Sequence, residues 1–110
     1  MQTDMREAGL IILAHGEVTG HSHEIVTATT AAVPTFEEAQ FFEVDGQREL
    51  VILTPCVLRH QEHAPIALDP TTPAMYRQGD VLLVPTGPGT WRVIQQQEWA
   101  GPEVWRAVAD

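Results

Sequence analysis

The chain has 110 residues, 44% of them apolar, and a formal charge of −9. That length fits one compact domain, taken as residues 1–110, and the apolar content suffices for a core without staples. All six basic residues are arginines in an acidic background, which argues against binding nucleic-acid phosphates or anionic membrane surfaces. The acidity is compatible with cation binding and, more simply, with solubility. The single cysteine, Cys56, rules out an intrachain disulfide and suits a reducing compartment. The first residues are polar, and the apolar run Leu10–Ala14 is too short for a signal-peptide core or a membrane span. A cytoplasmic location is therefore expected unless a leader precedes this sequence.

In chain order, Leu10–Ala14 has strand length and stops at His15-Gly16. Gly16 and Gly20 bracket a turn or bulge. His21 to Thr29 then alternates, with His21, His23, Ile25 and Thr27 on one side, and its β-branched residues support a strand. Phe41–Val44 and Gln47–Leu53 flank Asp45-Gly46, the preferred two-residue hairpin turn. Val57–His60 is a further short strand. Pro65, Pro70 and Pro73 make the next stretch loop-like. Val81–Val84 reads as a strand buried on both faces. Thr90 to Trp99 alternates again, and Pro102–Asp110 is expected as a tail with one or two helical turns. Six to eight short strands punctuated by glycine and proline indicate an all-β fold, a small antiparallel barrel or sandwich. A cupin-like double-stranded β-helix is one version, because a His-x-His strand followed by a later histidine resembles the cupin arrangement. Cupins place a glutamate some residues further along the same face; here Glu24 follows at once, on the other face.

Four of the five histidines form two clusters, His21-Ser22-His23 and His60-Gln61-Glu62-His63. On a strand, residues two apart face the same way, so His21 and His23 present two imidazoles that can reach one ion at about 2.0–2.2 Å. His60 and His63 are three apart and converge only on a turn or bulge, which Pro65 favours. Glu62 is a candidate carboxylate ligand, a partner holding an imidazole tautomer, or a general base; the plain alternative is a surface pair with Arg59 or a neighbouring histidine. Glu17, near the same turn as His21, is a second candidate for hydrogen bonding to an imidazole. His15 reads as a solvated strand end, Cys56 as a small core residue and Trp91 as a core aromatic. Trp99 and Trp105 flank Gly101-Pro102 and are read as a contact surface for a homodimer. No Ser/His/Asp spacing suggests a hydrolase triad.

The blocks Gly16-Glu-Val-Thr-Gly-His-Ser-His23, Glu62-His-Ala-Pro-Ile-Ala-Leu68, Gly89-Thr-Trp-Arg-Val93 and Gln96-Gln-Glu-Trp99 resemble a family of small uncharacterised bacterial and phage-associated proteins. That family carries Gly-Glu-x-Thr-Gly-His-x-His, Glu-His-x-Pro-Ile and a closing Gln-Arg-Glu-Tyr. The similar segments cover about half of the chain. Arg77–Val84 resembles a segment that opens the family's sequences but lies late here, and Gln97 and Trp99 stand where Arg and Tyr would be. The resemblance implies no established activity; it favours His21, His23 and His63 over His15 and His60.

The expectation is a metal-binding β protein. His21, His23 and His63 would hold one divalent transition metal, with His60 or Glu62 completing the shell. Imidazoles without thiolates suit Zn, Cu, Fe or Ni. An open coordination position would let the metal activate water or oxygen, as in a compact metalloenzyme, although no substrate can be named. The alternative is a non-catalytic interaction or oligomerisation module without metal.

Overall fold

The computed structural model describes residues 2–16, 20–99 and 105–107, with residues 97–99 and 105–107 described by backbone alone. Twelve strands are present among them. They are β1 (Gln2–Asp4), β2 (Ile12–His15), β3 (Ser22–Thr27), β4 (Ala39–Val44), β5 (Gln47–Ile52), β6 (Cys56–Arg59), β7 (Ile66–Leu68), β8 (Tyr76–Gln78), β9 (Val81–Gly87), β10 (Thr90–Gln95), β11 (Gln97–Trp99) and β12 (Trp105–Ala107). Every strand pair is antiparallel. The fold is all-β, as the alternation and turn residues predict, with more and shorter strands than the six to eight expected.

Six strands form one sheet in the order β1-β4-β5-β10-β9-β8, and four form a second in the order β2-β3-β6-β7. β11 and β12 pair separately. The two larger sheets share one core: Ile25, Leu58 and Leu68 from the four-stranded sheet join Phe41, Leu50, Leu83 and Trp91 from the six-stranded one. The Trp91 ring is fully buried, and its Nε1–H donates to the Ala74 carbonyl at 2.6 Å, which satisfies the one polar atom such a ring carries inward.

Local chemistry explains several connections. Asp45 and Gly46 both have positive φ (52° and 78°), the conformation a two-residue I′ hairpin needs between Val44 and its partner Gln47. Gly79-Asp80 makes the equally short turn between β8 and β9. Gly89, at φ 71°, lies so close to the Pro70 and Ile52 carbonyls that a Cβ there would come within 2.6 and 2.9 Å of them. Between β2 and β3 the register slips, so that Ile12 faces Glu24 while Ala14 faces His23; Leu13 is the extra residue of this bulge.

Three sequence expectations change. Val81–Val84 is buried on one face only: Val81 and Leu83 are in the core and Leu82 and Val84 are half-buried. The continuous apolar run therefore reflects a sheet whose second face is only partly covered. The polar start Gln2–Asp4 pairs with β4, because an edge strand needs backbone partners rather than apolar side chains. The helical turns expected in Pro102–Asp110 are replaced over Trp105–Ala107 by a strand, whose backbone groups are satisfied by Gln97–Trp99. Among the described residues no helix is long and apolar enough to cross a membrane.

Candidate functional site

β3 delivers the first histidines. Gly16 N–H donates to the His21 carbonyl at 2.8 Å and closes the loop that enters β3. His21 and His23 lie two residues apart on this approach. His23 is fully buried, while His21 stays nearer the surface. β6 pairs with β3 so that Glu24 faces Arg59 and Ile25 faces Leu58. One step further along, the same register sets His60 across from His23. The Ser22 N–H donation to Gln61 Oε1 at 2.9 Å continues the pairing beyond the strands themselves.

The chain then turns back. His60 Nδ1 accepts the Glu62 N–H at 3.0 Å, so the 60–63 segment curls into a turn before β7. This is why two histidines three residues apart meet instead of facing opposite ways. Ring centroids are 4.4 Å apart for His23–His60, 4.7 Å for His60–His63, 5.6 Å for His21–His60 and 6.0 Å for His23–His63. All four clustered histidines thus share one locality. His63 Nε2 is buried with no hydrogen-bond partner among the described residues.

The β8–β9 hairpin adds two side chains that sequence reading missed. Gln78 and Asp80 are both buried, flanking the Gly79 turn. Gln78 Nε2 donates to the Leu58 and Ala64 carbonyls, each at 3.0 Å. Its Oε1 therefore accepts from His23 Nδ1–H at 2.8 Å, which fixes a proton on that nitrogen. His23 Nε2 lies 3.1 Å from Asp80 Oδ1, and Gln95 Nε2 donates to Asp80 Oδ2 at 2.9 Å. The available signal was the block Arg77-Gln78-Gly79-Asp80: a short turn with one polar side chain on either side of its glycine. Nothing local revealed which partner those side chains would meet.

The remaining candidates fall elsewhere. His15 ends β2 on the surface and pairs with Glu7, Nε2 to Oε2 at 2.7 Å. Glu62 is exposed, with Oε2 3.7 Å from His21 Nδ1. Arg59 pairs with Glu24 instead, at 2.8 Å. Cys56 is buried in the core, and burial, aided by the charge of Glu38, pushes its thiol up to about 11. Glu17 lies outside the described residues. So do the side chains of Trp99 and Trp105, whose backbones face each other across β11 and β12.

The site is a buried imidazole cluster with a glutamine and an aspartate holding one ring. Among the described residues, no group of three or more His, Cys, Asp or Glu side chains is placed so that it could hold a metal ion as it stands. The nitrogens account for this: His23 spends both on Gln78 and Asp80, and His60 spends Nδ1 on the Glu62 amide. The side chains hold one another by ring contacts and hydrogen bonds.

No curated protein and no solved structure matches this chain. One family model does, over residues 1–72, a span that contains all four clustered histidines and ends before Gln78 and Asp80. The chain belongs to that family, described as a domain of unknown function, DUF8820.

Proposed function

We propose that this protein binds one divalent transition metal at the imidazole cluster, with His23 and His63 as central ligands and His60 or His21 beside them. The supporting observation is ring spacing. Imidazoles bound to one ion through nitrogen at about 2.1 Å have centroids about 4.5–5.3 Å apart for bond angles between 90° and tetrahedral. His60–His63 at 4.7 Å falls within that range and His23–His60 at 4.4 Å just below it, while His21–His60 at 5.6 Å and His23–His63 at 6.0 Å lie above it and must draw together. A buried imidazole nitrogen without a hydrogen-bond partner among the described residues, His63 Nε2, fits the same use. Closing a shell requires ring rotation and exchange of the His23 Nε2 contact with Asp80 for the ion, while Nδ1–H stays on Gln78. A ligating histidine is held by its other N–H in this way.

Imidazole and carboxylate donors without thiolate suit Zn, Cu, Fe or Ni. When bound, such an ion supplies Lewis acidity and an acidified water. Glu62, exposed beside His21, is the carboxylate to which this reading assigns proton transfer. The cupin likeness of the His-x-His strand, a cytoplasmic location and a homodimer through the Trp99–Trp105 segment accompany this reading as proposals.

A second reading is favoured by one observation. Both His23 nitrogens are already satisfied by protein groups, as in a structural polar plug. The protein would then be an interaction or oligomerisation module without metal.

Elemental analysis of protein purified without a histidine tag separates the two. The first reading expects close to one metal ion per chain, native or reconstituted. Substoichiometric metal in both samples removes it.

A further inference from the structure

A cleft of about 270 Å³ opens along β2, the strand paired with the one that carries His23. Its apolar wall includes Met5, Ile12 and Phe41, and its polar groups include Arg48 and Gln95. Two links tie it to the site. Ala14 on its wall faces His23 across the β2–β3 pair. Gln95 reaches from the cleft to Asp80, which lies against His23.

Arg48 is the unusual group. Its Nη1–H donates to the carbonyl of Leu13, the bulge residue, at 2.6 Å, and its guanidinium lies 5.8 Å from the centre of the Phe41 ring. Its other N–H groups make no hydrogen bond among the described residues. No described carboxylate lies within 4 Å of it, although the chain carries nine more negative than positive charges. Arg59, by contrast, is paired with Glu24. Partial burial lowers the pKa of Arg48, with Glu43 acting the other way, so the cation is held where solvent screens it poorly. The one carboxylate in the cleft wall, Glu7, is engaged by His15.

We propose that this cleft binds a small organic monocarboxylate, its apolar body against Met5, Ile12 and Phe41 and its carboxylate on Arg48. A guanidinium offers paired N–H groups that match a carboxylate, and a single cation suits a monoanion better than a phosphate dianion. Binding of the carboxylate stands on the cleft alone. Its role as the substrate or co-ligand of the neighbouring centre rests on the metal reading above.

The test is a titration of the full chain, stripped of metal by chelation, with benzoate, benzamide and inorganic phosphate, followed by amide and arginine side-chain NMR. Saturable benzoate binding is expected, moving Arg48 and Gln95 resonances, with benzamide and phosphate at least about tenfold weaker. Arg48→Gln should weaken benzoate by about tenfold or more, Arg48→Lys should retain part of the affinity, Arg92→Gln, which shares a neighbouring cleft with Arg48 and Gln95, should weaken it less than Arg48→Gln, and Arg59→Gln, outside both clefts, should leave it unchanged. Equal binding of benzamide, or benzoate affinity unchanged in Arg48→Gln, overturns the proposal. Should Arg48→Gln unfold by losing the Leu13 contact, the benzoate preference of the native chain and the Arg48→Lys variant decide. Because the protein is metal-free, failure of the metal reading does not affect the result.

Discussion

Gln78 and His23, separated by 55 positions in the chain, meet at 2.8 Å through Oε1 and Nδ1, and the glutamine keeps a proton on that nitrogen. It does so because its own amide nitrogen is committed to two backbone carbonyls, leaving the oxygen as acceptor. Truncation by Gln78→Ala would leave the Leu58 and Ala64 carbonyls and the His23 N–H without that partner. We expect a loss of about 3 kcal/mol in urea unfolding and a shifted His23 Nδ1 resonance by nitrogen-15 NMR. A loss under about 1 kcal/mol would show that the contact is not maintained.

Asp80 shares the other side of the same ring. If the cluster holds a metal, Asp80→Asn keeps the shape but removes the carboxylate beside His23 Nε2. Competition with a chromogenic chelator should then report an affinity no lower than native, because the ion takes the place of that carboxylate on Nε2, whereas Gln78→Ala, which frees the ligating ring's Nδ1–H, should lower it about 10- to 100-fold. An affinity unchanged in Gln78→Ala would separate Gln78 from the metal.

His63 offers a mild test of the cluster, because it is only half-buried and its Nε2 has no hydrogen bond to lose among the described residues. In the native chain, zinc or nickel at about 100 times its dissociation constant should stabilise by about 2.7 kcal/mol, visible as a rise in Tm. His63→Ala should leave the metal-free Tm nearly unchanged and abolish most of that rise. A native chain whose Tm ignores every metal tried favours the interaction-module reading.

Gly89 tests the packing between sheet and loop. Gly89→Ala meets both an unfavourable positive φ and two backbone oxygens that cannot swing aside. A cost of about 3 kcal/mol is expected by denaturant unfolding. Gly20→Ala, at φ 87° with nothing within 4 Å among the described residues, should cost about 1 kcal/mol, from backbone strain. Equal costs at the two positions would contradict the close approach.

Cys56 predicts a response to alkali. Its thiol is raised to about 11 in the folded chain, from about 9 when exposed, because burial and Glu38 disfavour the thiolate. A raised pKa means the folded state holds its proton more tightly, so the stabilisation is complete below about pH 9. It is lost as pH rises from 9 through 11, on the order of 2 kcal/mol in all. Cys56→Ala should flatten that part of the stability profile. Iodoacetamide should label Cys56 in the native protein at pH 8 only slowly, and rapidly in urea. Prompt native labelling would contradict the burial.

The local pattern carried the hairpin and the strand faces. Asp45-Gly46 announced its turn because few residues accept positive φ twice in succession, and Leu50 and Ile52 went inward with the period of a strand. Val81–Val84 was misjudged because an apolar run states that a strand is sticky, not how much of its second face is covered. β1 escaped notice because Gln2–Asp4 is polar and its contribution is backbone pairing. Trp105–Ala107 was misread because a short strand without its partner in view looks like any other short segment.

At the site, the amino-acid order by itself determined the donor types: imidazoles spaced two apart, more imidazoles after a later strand, and no second thiol. Local spacing is enough for that, since side-chain direction repeats every two residues along a strand. Only the tertiary structure decided that His23 faces His60, that His60 and His63 curl together, and that Gln78 and Asp80 reach His23 across 55 and 57 positions. Register between distant strands is set by how all their side chains and backbone groups pair at once, and no short window of sequence contains that sum.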